Sequence, residues 1–211
     1  MEKRKIAVTG ATGFIGKQLV DQLLENGNIV YQIGREFEKV DCDIIYHLAC
    51  PSTTEIISRD TRMVMDTIMD GTRKALAICP TAFFVNASSM GAEFVDVDKS
   101  PQNAYNVAKR CMEIYLEYSA GPFGYINYRL PAVYGPGMHD DFFIKRCVDG
   151  TAYKPVEPDK LYYIAHVDDV VHAMSKCEQI PIEKITLGQI YELFNSGRRG
   201  LHRPTSNPGS V

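Results

Sequence analysis

The 211-residue chain is 45% hydrophobic, enough for one well-buried core with a modest appendage and too little for a second full domain. Its 23 basic and 26 acidic residues leave a formal net charge of −3, which excludes any global attraction to nucleic acid or to an anionic membrane. No apolar run is long enough to span a bilayer, and Met1–Lys5 leads into a strand rather than a signal sequence, so a cytoplasmic location is expected. The six cysteines, at 42, 50, 79, 111, 147 and 177, are scattered without a close pair, a pattern of reduced thiols rather than disulfides or a zinc site; no metal is expected.

The apolar run ending at Thr9 enters Gly10-Ala11-Thr12-Gly13-Phe14-Ile15-Gly16, three glycines spaced to open a helix. Gly10 permits a tight turn, Gly13 admits a pyrophosphate to the backbone, and Gly16 lets the helix approach the strand. The phosphates would lie on the helix's N-terminal amides, with Thr12, Phe14 and Ile15 completing the cradle. A purely structural turn would also use glycines.

The first helix is expected from Phe14 to Asn26, with Ile15, Leu19, Val20, Leu23 and Leu24 as its apolar stripe and Gly27 ending it. Strands follow at 29–33 and 44–48, but about ten residues between them are too few for a crossover helix plus a further strand. A usual element is missing there. A long helix covers 60–79 and stops at Pro80; then come a strand at 83–87, a helix at 102–119 and a strand at 125–130. This alternation predicts an α/β fold, a Rossmann-like doubly wound parallel sheet, over residues 1–136. Beyond Gly137 the pattern weakens into segments at 142–148, 161–165, 168–177 and 187–195, read as a reduced C-terminal substrate cap (137–197) with one segment returning to the core. Residues 198–211 lack apolar periodicity and are expected to form a flexible tail.

Candidate chemistry lies in Ser88-Ser89, at a strand end, and in Tyr105 and Lys109, whose spacing of four puts them on one helix face. A tyrosine phenol titrates near about 10, so acid–base work at neutral pH needs a nearby positive charge, which Lys109 can supply. A lone Tyr–Lys pair also arises by chance on helix surfaces. The order of cradle, serine-ended strand and Tyr–Lys helix places all three at the C-terminal ends of parallel strands, where open α/β sheets bind ligands.

Five blocks now carry a resemblance: Thr9–Gly16, Tyr46–Cys50, Asn86–Ser89, Pro101–Lys109 and Arg129–Gly137, with a weaker sixth at His166–Val170. The chain resembles the extended short-chain dehydrogenase/reductase superfamily, the NAD-dependent epimerase/dehydratase group. The resemblance implies Ser89, Tyr105 and Lys109 as the catalytic set, Ser89 being preferred to Ser88 by its place in its block. It also implies that Leu48, Ala49 and Pro131, with Tyr105 and Lys109, lie beside the cofactor. Relatives specific for NAD usually carry an acid near Gly34; here Arg35 follows instead, and a guanidinium suits a 2′-phosphate. NADP is therefore expected, with NAD as the alternative, unless Arg35 merely pairs with Glu36 or Glu38.

Departures from the family pattern narrow the expectation. Met90-Gly91 stands where a dehydratase usually has an Asp-Glu pair, Ile68 and Ala132 replace usual asparagines, and the region after Gly137 is short. A small cap implies a smaller substrate, a shallow site or help from another subunit. His139 follows the last core strand, as a loop histidine or an acid of the reaction. Tyr105, Lys109, Met112 and Leu116 form one stripe of their helix, and Val107, Cys111, Ile114 and Tyr118 a second; with Met65, Met69 and Leu76 the latter suits the homodimer typical of the family, through helices 60–79 and 102–119. The expected activity is hydride transfer at a hydroxyl or keto carbon of a nucleotide sugar, as a reductase or an epimerase; the alternative is a non-catalytic dinucleotide-binding module. Neither nucleic acid nor membrane is an expected partner.

Overall fold

In a computed structural model, residues 3–51, 54–95 and 100–201 are described. The first half contains β1 (Lys5–Thr9), α1 (Phe14–Glu25), β2 (Ile29–Ile33), β3 (Ile44–His47), α2 (Thr54–Arg59) and α3 (Thr61–Leu76). It continues with β4 (Phe83–Ser89), α4 (Pro101–Ser119) and β5 (Tyr125–Leu130). The five strands form one parallel sheet in the order β2-β1-β3-β4-β5.

Alternation along the strands supplies both layers of core. Ile6 and Val8 face α1, packing with Leu19 and Leu23, while Ala7, Ile45 and Phe84 face α3 and α4 and meet Val64, Ile68, Met112 and Leu116. Helix starts are fixed locally: Asp60 accepts from the Met63 N–H, and the Ser100 hydroxyl accepts from the Asn103 N–H with Pro101 at the first helical position.

No helix or strand lies between Ile33 and Ile44, in agreement with the short spacing read from the sequence. The connection runs as a loop from the C-terminal end of β2 back to the start of β3, and β2 is the outer edge of the sheet, with Ile29 exposed.

After β5 the chain forms a second sheet from β6 (Ala132–Tyr134), β7 (Leu161–His166) and β8 (Glu183–Thr186), with α5 (Phe143–Val148) and α7 (Leu187–Asn195) packed on it. β6 pairs with β7 in parallel, so the second sheet begins directly after β5. Its core is Tyr134, Met138, Ile144, Ile164, Ile190 and Phe194. Helix α6 (Val167–Lys176) returns to the main sheet, where Val170, Val171 and Met174 join the α1 core. Phe14 touches both cores and so couples the cradle to the cap.

Part of the expected tail is docked. Arg199 pairs with Glu183 at 2.7 Å and Leu201 packs on the cap, because their partners lie on β8 and in the cap core, which the local sequence does not reveal. Residues 202–211 of that expectation lie outside the described residues. No helix among the described residues is long and apolar enough to cross a membrane.

Candidate active site

The glycine turn is a backbone object. Gly10 has φ +69°, and a Cβ there would lie 2.7 Å from the Ala49 nitrogen. At Gly16 a Cβ would lie 2.0 Å from the Gly10 carbonyl oxygen, so α1 abuts the turn with no room for any side chain. Gly13 stands at the N-cap without a side-chain cap, and no acidic residue occupies the first turn. The leading amides of α1 therefore face outward with the positive end of the helix dipole, and this cradle fits a pyrophosphate.

Behind the turn, hydrogen bonds fix the loop after β3. The Ala49 N–H donates to Thr9 Oγ1 at 3.2 Å, and Thr9 Oγ1 lies 2.8 Å from Nδ1 of buried His47. The Thr72 hydroxyl donates to the Ile68 carbonyl at 2.9 Å, so it must accept from Nε2–H of His47 across 3.4 Å. That makes Nε2 the protonated nitrogen and leaves Nδ1 to accept from Thr9. Burial, with a further contribution from the positive charge of Lys109, pushes His47 down to about 3, so the ring stays neutral. Leu48 and Ala49 are thereby held beside Gly10.

A cleft of ≈1090 Å³ opens here, with Gly10, Thr12, Arg35, Ala49 and Cys50 in its lining. Arg35 pairs with neither Glu36 nor Glu38 among the described residues. Arg62 and Lys74 of α3 also line this cleft, two cations the sequence reading missed, because only the fold brings α3 beside the glycine turn.

Residues of α3 complete this cleft; the second wall of the candidate site is made by β4 and α4, where Tyr105 lies beside Cys50 of the cleft lining. The two serines alternate: Ser88 Oγ donates to Glu113 at 2.6 Å, whereas Ser89 Oγ accepts from the Gly91 N–H at 3.1 Å on the other side of the strand. Glu113 is buried and also receives both Arg129 Nε (3.0 Å) and Nη2 (2.8 Å), and Arg110 (2.9 Å). Burial raises its pKa, but these bonds outweigh that and hold the carboxyl below its ordinary range. Ser88 is thus occupied in a structural network, whereas Ser89 Oγ, which accepts from Gly91, still has its proton to donate. Glu113, absent from the sequence reading, is the anchor of this wall.

Tyr105 and Lys109 share a face of α4, with the ammonium 5.7 Å from the tyrosine ring centroid. Lys109 is buried and donates to the Ala87 carbonyl at 2.8 Å. Burial first, and the neighbouring Cys50 thiol second, push the Tyr105 phenol well above its usual value, while the Lys109 ammonium lies over the ring. Tyr105 is accordingly protonated at neutral pH and ready to donate.

The remaining expected residues frame the site. Phe14 and Ile15 pack under α1, and Pro131 links β5 to β6. The Asn106 amide fills the space that a side chain at Gly91 would need, 2.2 Å from such a Cβ. His139 is an exposed loop residue with Nδ1 2.8 Å from Asp141.

Residues 6–184 match the family model described as the NAD dependent epimerase/dehydratase family. The chain belongs to that family. It is 25% identical over 206 residues to CDP-abequose synthase of Salmonella typhimurium, covering 81% of this chain and 69% of that protein. Among solved structures, UDP-glucose 4-epimerase of Thermotoga maritima with UDP-glucose superimposes with a TM-score of 0.74 at 22% identity, over 98% of this chain and 87% of the other. UDP-glucose 4-epimerase of Thermus thermophilus in complex with NAD gives 0.71 at 19%, over 91% and 82%. These likenesses, at low identity, concern the fold; the family assignment accounts for the cradle and for the order of the blocks around it.

Proposed function

We propose that this member of the family is an NADP-using oxidoreductase or epimerase acting at a hydroxyl or keto carbon of a nucleotide sugar. The observation that carries the reading is the convergence of an uncapped α1 N-terminus, Ser89 at the end of β4, and Tyr105 with Lys109 on one face of α4. A nicotinamide dinucleotide, held at Gly10, Thr12, Gly13 and the α1 amides with Leu48, Ala49 and Pro131 alongside, supplies the hydride donor or acceptor. Ser89 orients the substrate oxygen by a hydrogen bond, and Tyr105 gives it a proton in the reductive direction or removes one in the oxidative direction. Lys109 lies beside Tyr105, where its ammonium would stabilise the phenolate that remains after donation. Arg35, free at the cleft mouth, suits a 2′-phosphate.

The Gly91–Asn106 packing supports a reaction other than dehydration, since an acid at 91 would displace the Asn106 amide. CDP-abequose synthase and the UDP-glucose epimerases support a sugar nucleotide as substrate. A homodimer through α3 and α4 belongs to the same reading: Cys111, Ile114 and Tyr118 lie exposed on α4, Tyr118 by 84%. Sedimentation at micromolar concentration checks it, a monomer being the result against it.

The function is tested by titrating the protein with NADPH and NADH and following nicotinamide absorbance with a panel of keto-sugar nucleotides. Tight NADPH binding with substrate-dependent oxidation is expected for a reductase. Product analysis of the same mixtures, by separating the starting sugar from its epimer, detects the epimerase; dinucleotide binding with neither change overturns both.

A further inference from the structure

The fold creates a cysteine pair that the linear spacing conceals. Cys42 ends the connection from β2 to β3, and Cys79 lies in the turn between α3 and β4. β3 and β4 are neighbouring strands whose pairing begins at Ile44 and Phe83, and the Phe83 N–H donates to the Asp43 carbonyl at 2.9 Å. The strand spacing of about 4.8 Å brings the two approaches together. Cys79 Sγ donates to the Cys42 carbonyl at 3.3 Å and lies 3.4 Å from Thr81 Oγ1.

The members differ in ways that suit an attacking and a resolving thiol. Cys79 is partly open to solvent; burial acts to raise its pKa, but hydrogen bonds from Thr81 and Cys42 outweigh it and bring it below the ordinary thiol value. Cys42 is 5% exposed, and burial, with Cys79 beside it, pushes it up to about 12. The buried thiol is thus reachable chiefly through its neighbour.

We infer that Cys42 and Cys79 form a reversible dithiol site, closed to a disulfide by peroxide. The Cys79 thiolate attacks one peroxide oxygen, the O–O bond breaks, and hydroxide leaves to become water, giving a Cys79 sulfenic acid. Cys42 sulfur then attacks the sulfenic sulfur, its proton leaves with the displaced hydroxide as a second water, and the S–S bond forms. Two thiols lose two electrons and two hydrogens, and one peroxide becomes two waters. The bond ties the loop that replaces the missing crossover to the α3–β4 turn, at the end of the sheet remote from the cradle. The site stands apart from the proposed dinucleotide chemistry.

The test treats the full chain with hydrogen peroxide, alkylates the remaining thiols after denaturation and maps peptides without reductant. The expected result is one cross-linked pair carrying Cys42 and Cys79, two hydrogens lighter than its separate peptides, with alkylatable thiols falling from six to four and recovering in dithiothreitol. Cys79→Ser abolishes the cross-link; should that variant fold poorly, the wild-type map alone decides. Cys79 as sulfinic acid with Cys42 still alkylated, a cross-link between other cysteines, or six intact thiols overturns the inference.

Discussion

The two walls of the candidate site, the glycine cradle and the β4–α4 pair, are held by different means. Around Gly10 and Gly16 the backbone of one segment lies directly on another, a Cβ at those positions falling 2.7 and 2.0 Å from the nearest atom, with the Thr9 and His47 side chains behind the turn. In the other wall, β4 and α4 are joined by side chains: a buried carboxylate, Glu113, collects Ser88, Arg110 and Arg129, and buried Lys109 reaches the Ala87 carbonyl. The first wall tolerates almost no substitution at Gly10 and Gly16, and its direct backbone contacts do not titrate. The second is set by charge and hydrogen bonding, so it responds to protonation. A phosphate needs fixed amides, and backbone supplies them; a proton-transfer group needs adjustable electrostatics, which only side chains supply.

The sharpest way to separate the walls is Tyr105→Phe. Turnover should fall by about a thousandfold, the scale of one positioned acid or base, with dinucleotide affinity changed less than about threefold. Comparable loss of affinity would mean that Tyr105 serves binding instead. Gly16→Val breaks the other wall: calorimetric dinucleotide binding should weaken more than about a hundredfold, since a buried overlap costs on the order of 1–3 kcal/mol or more and here also displaces the cradle. Near-native affinity would show that the turn can shift.

Glu113→Ala should lower unfolding free energy by about 3 kcal/mol in urea, because removing one partner leaves Arg129 and Ser88 without their acceptor. Glu113→Gln keeps part of the hydrogen bonding and should cost less. As the folded-state pKa of Glu113 is lowered, its contribution is present above the ordinary carboxylate value and is lost as pH falls through the folded value.

His47 joins the walls and gives a separate signature. Its folded value, about 3, lies below its ordinary 6.5, so the unfolded chain takes up the proton first and stability declines as pH falls below 6.5. Between pH 6.5 and about 5, above the carboxylate range, the wild type should lose up to about 1.4 kcal/mol per pH unit, and His47→Asn should lack this slope. An identical slope in both would show that His47 is charged in the fold. The smallest effect is at the rim: Arg35→Ala should weaken NADPH by about tenfold, roughly 1.4 kcal/mol, and leave NADH unchanged. Equal loss for both cofactors would remove its role in 2′-phosphate recognition.

Chain order alone carried the α/β architecture, because a parallel sheet requires apolar strands separated by amphipathic helices, and these periods are local. The glycine spacing, the Tyr105–Lys109 interval and the missing element between Ile33 and Ile44 were legible for the same reason. The choice between Ser88 and Ser89 was legible only through the resemblance; what the structure adds is that strand alternation sends Ser88 to Glu113. Glu113 itself gave no signal, since an acid on a helix surface and an acid beneath two arginines look alike in sequence.

What the sequence determined by itself was therefore the order of elements and the backbone-built cradle, both consequences of short-range period and of glycine's missing side chain. The tertiary structure alone decided the raised Tyr105 phenol, the neutral His47, the docking of Arg199 and the meeting of Cys42 with Cys79. Each depends on desolvation or on contact between residues distant in the chain, and such quantities exist only once the sheet has brought them together.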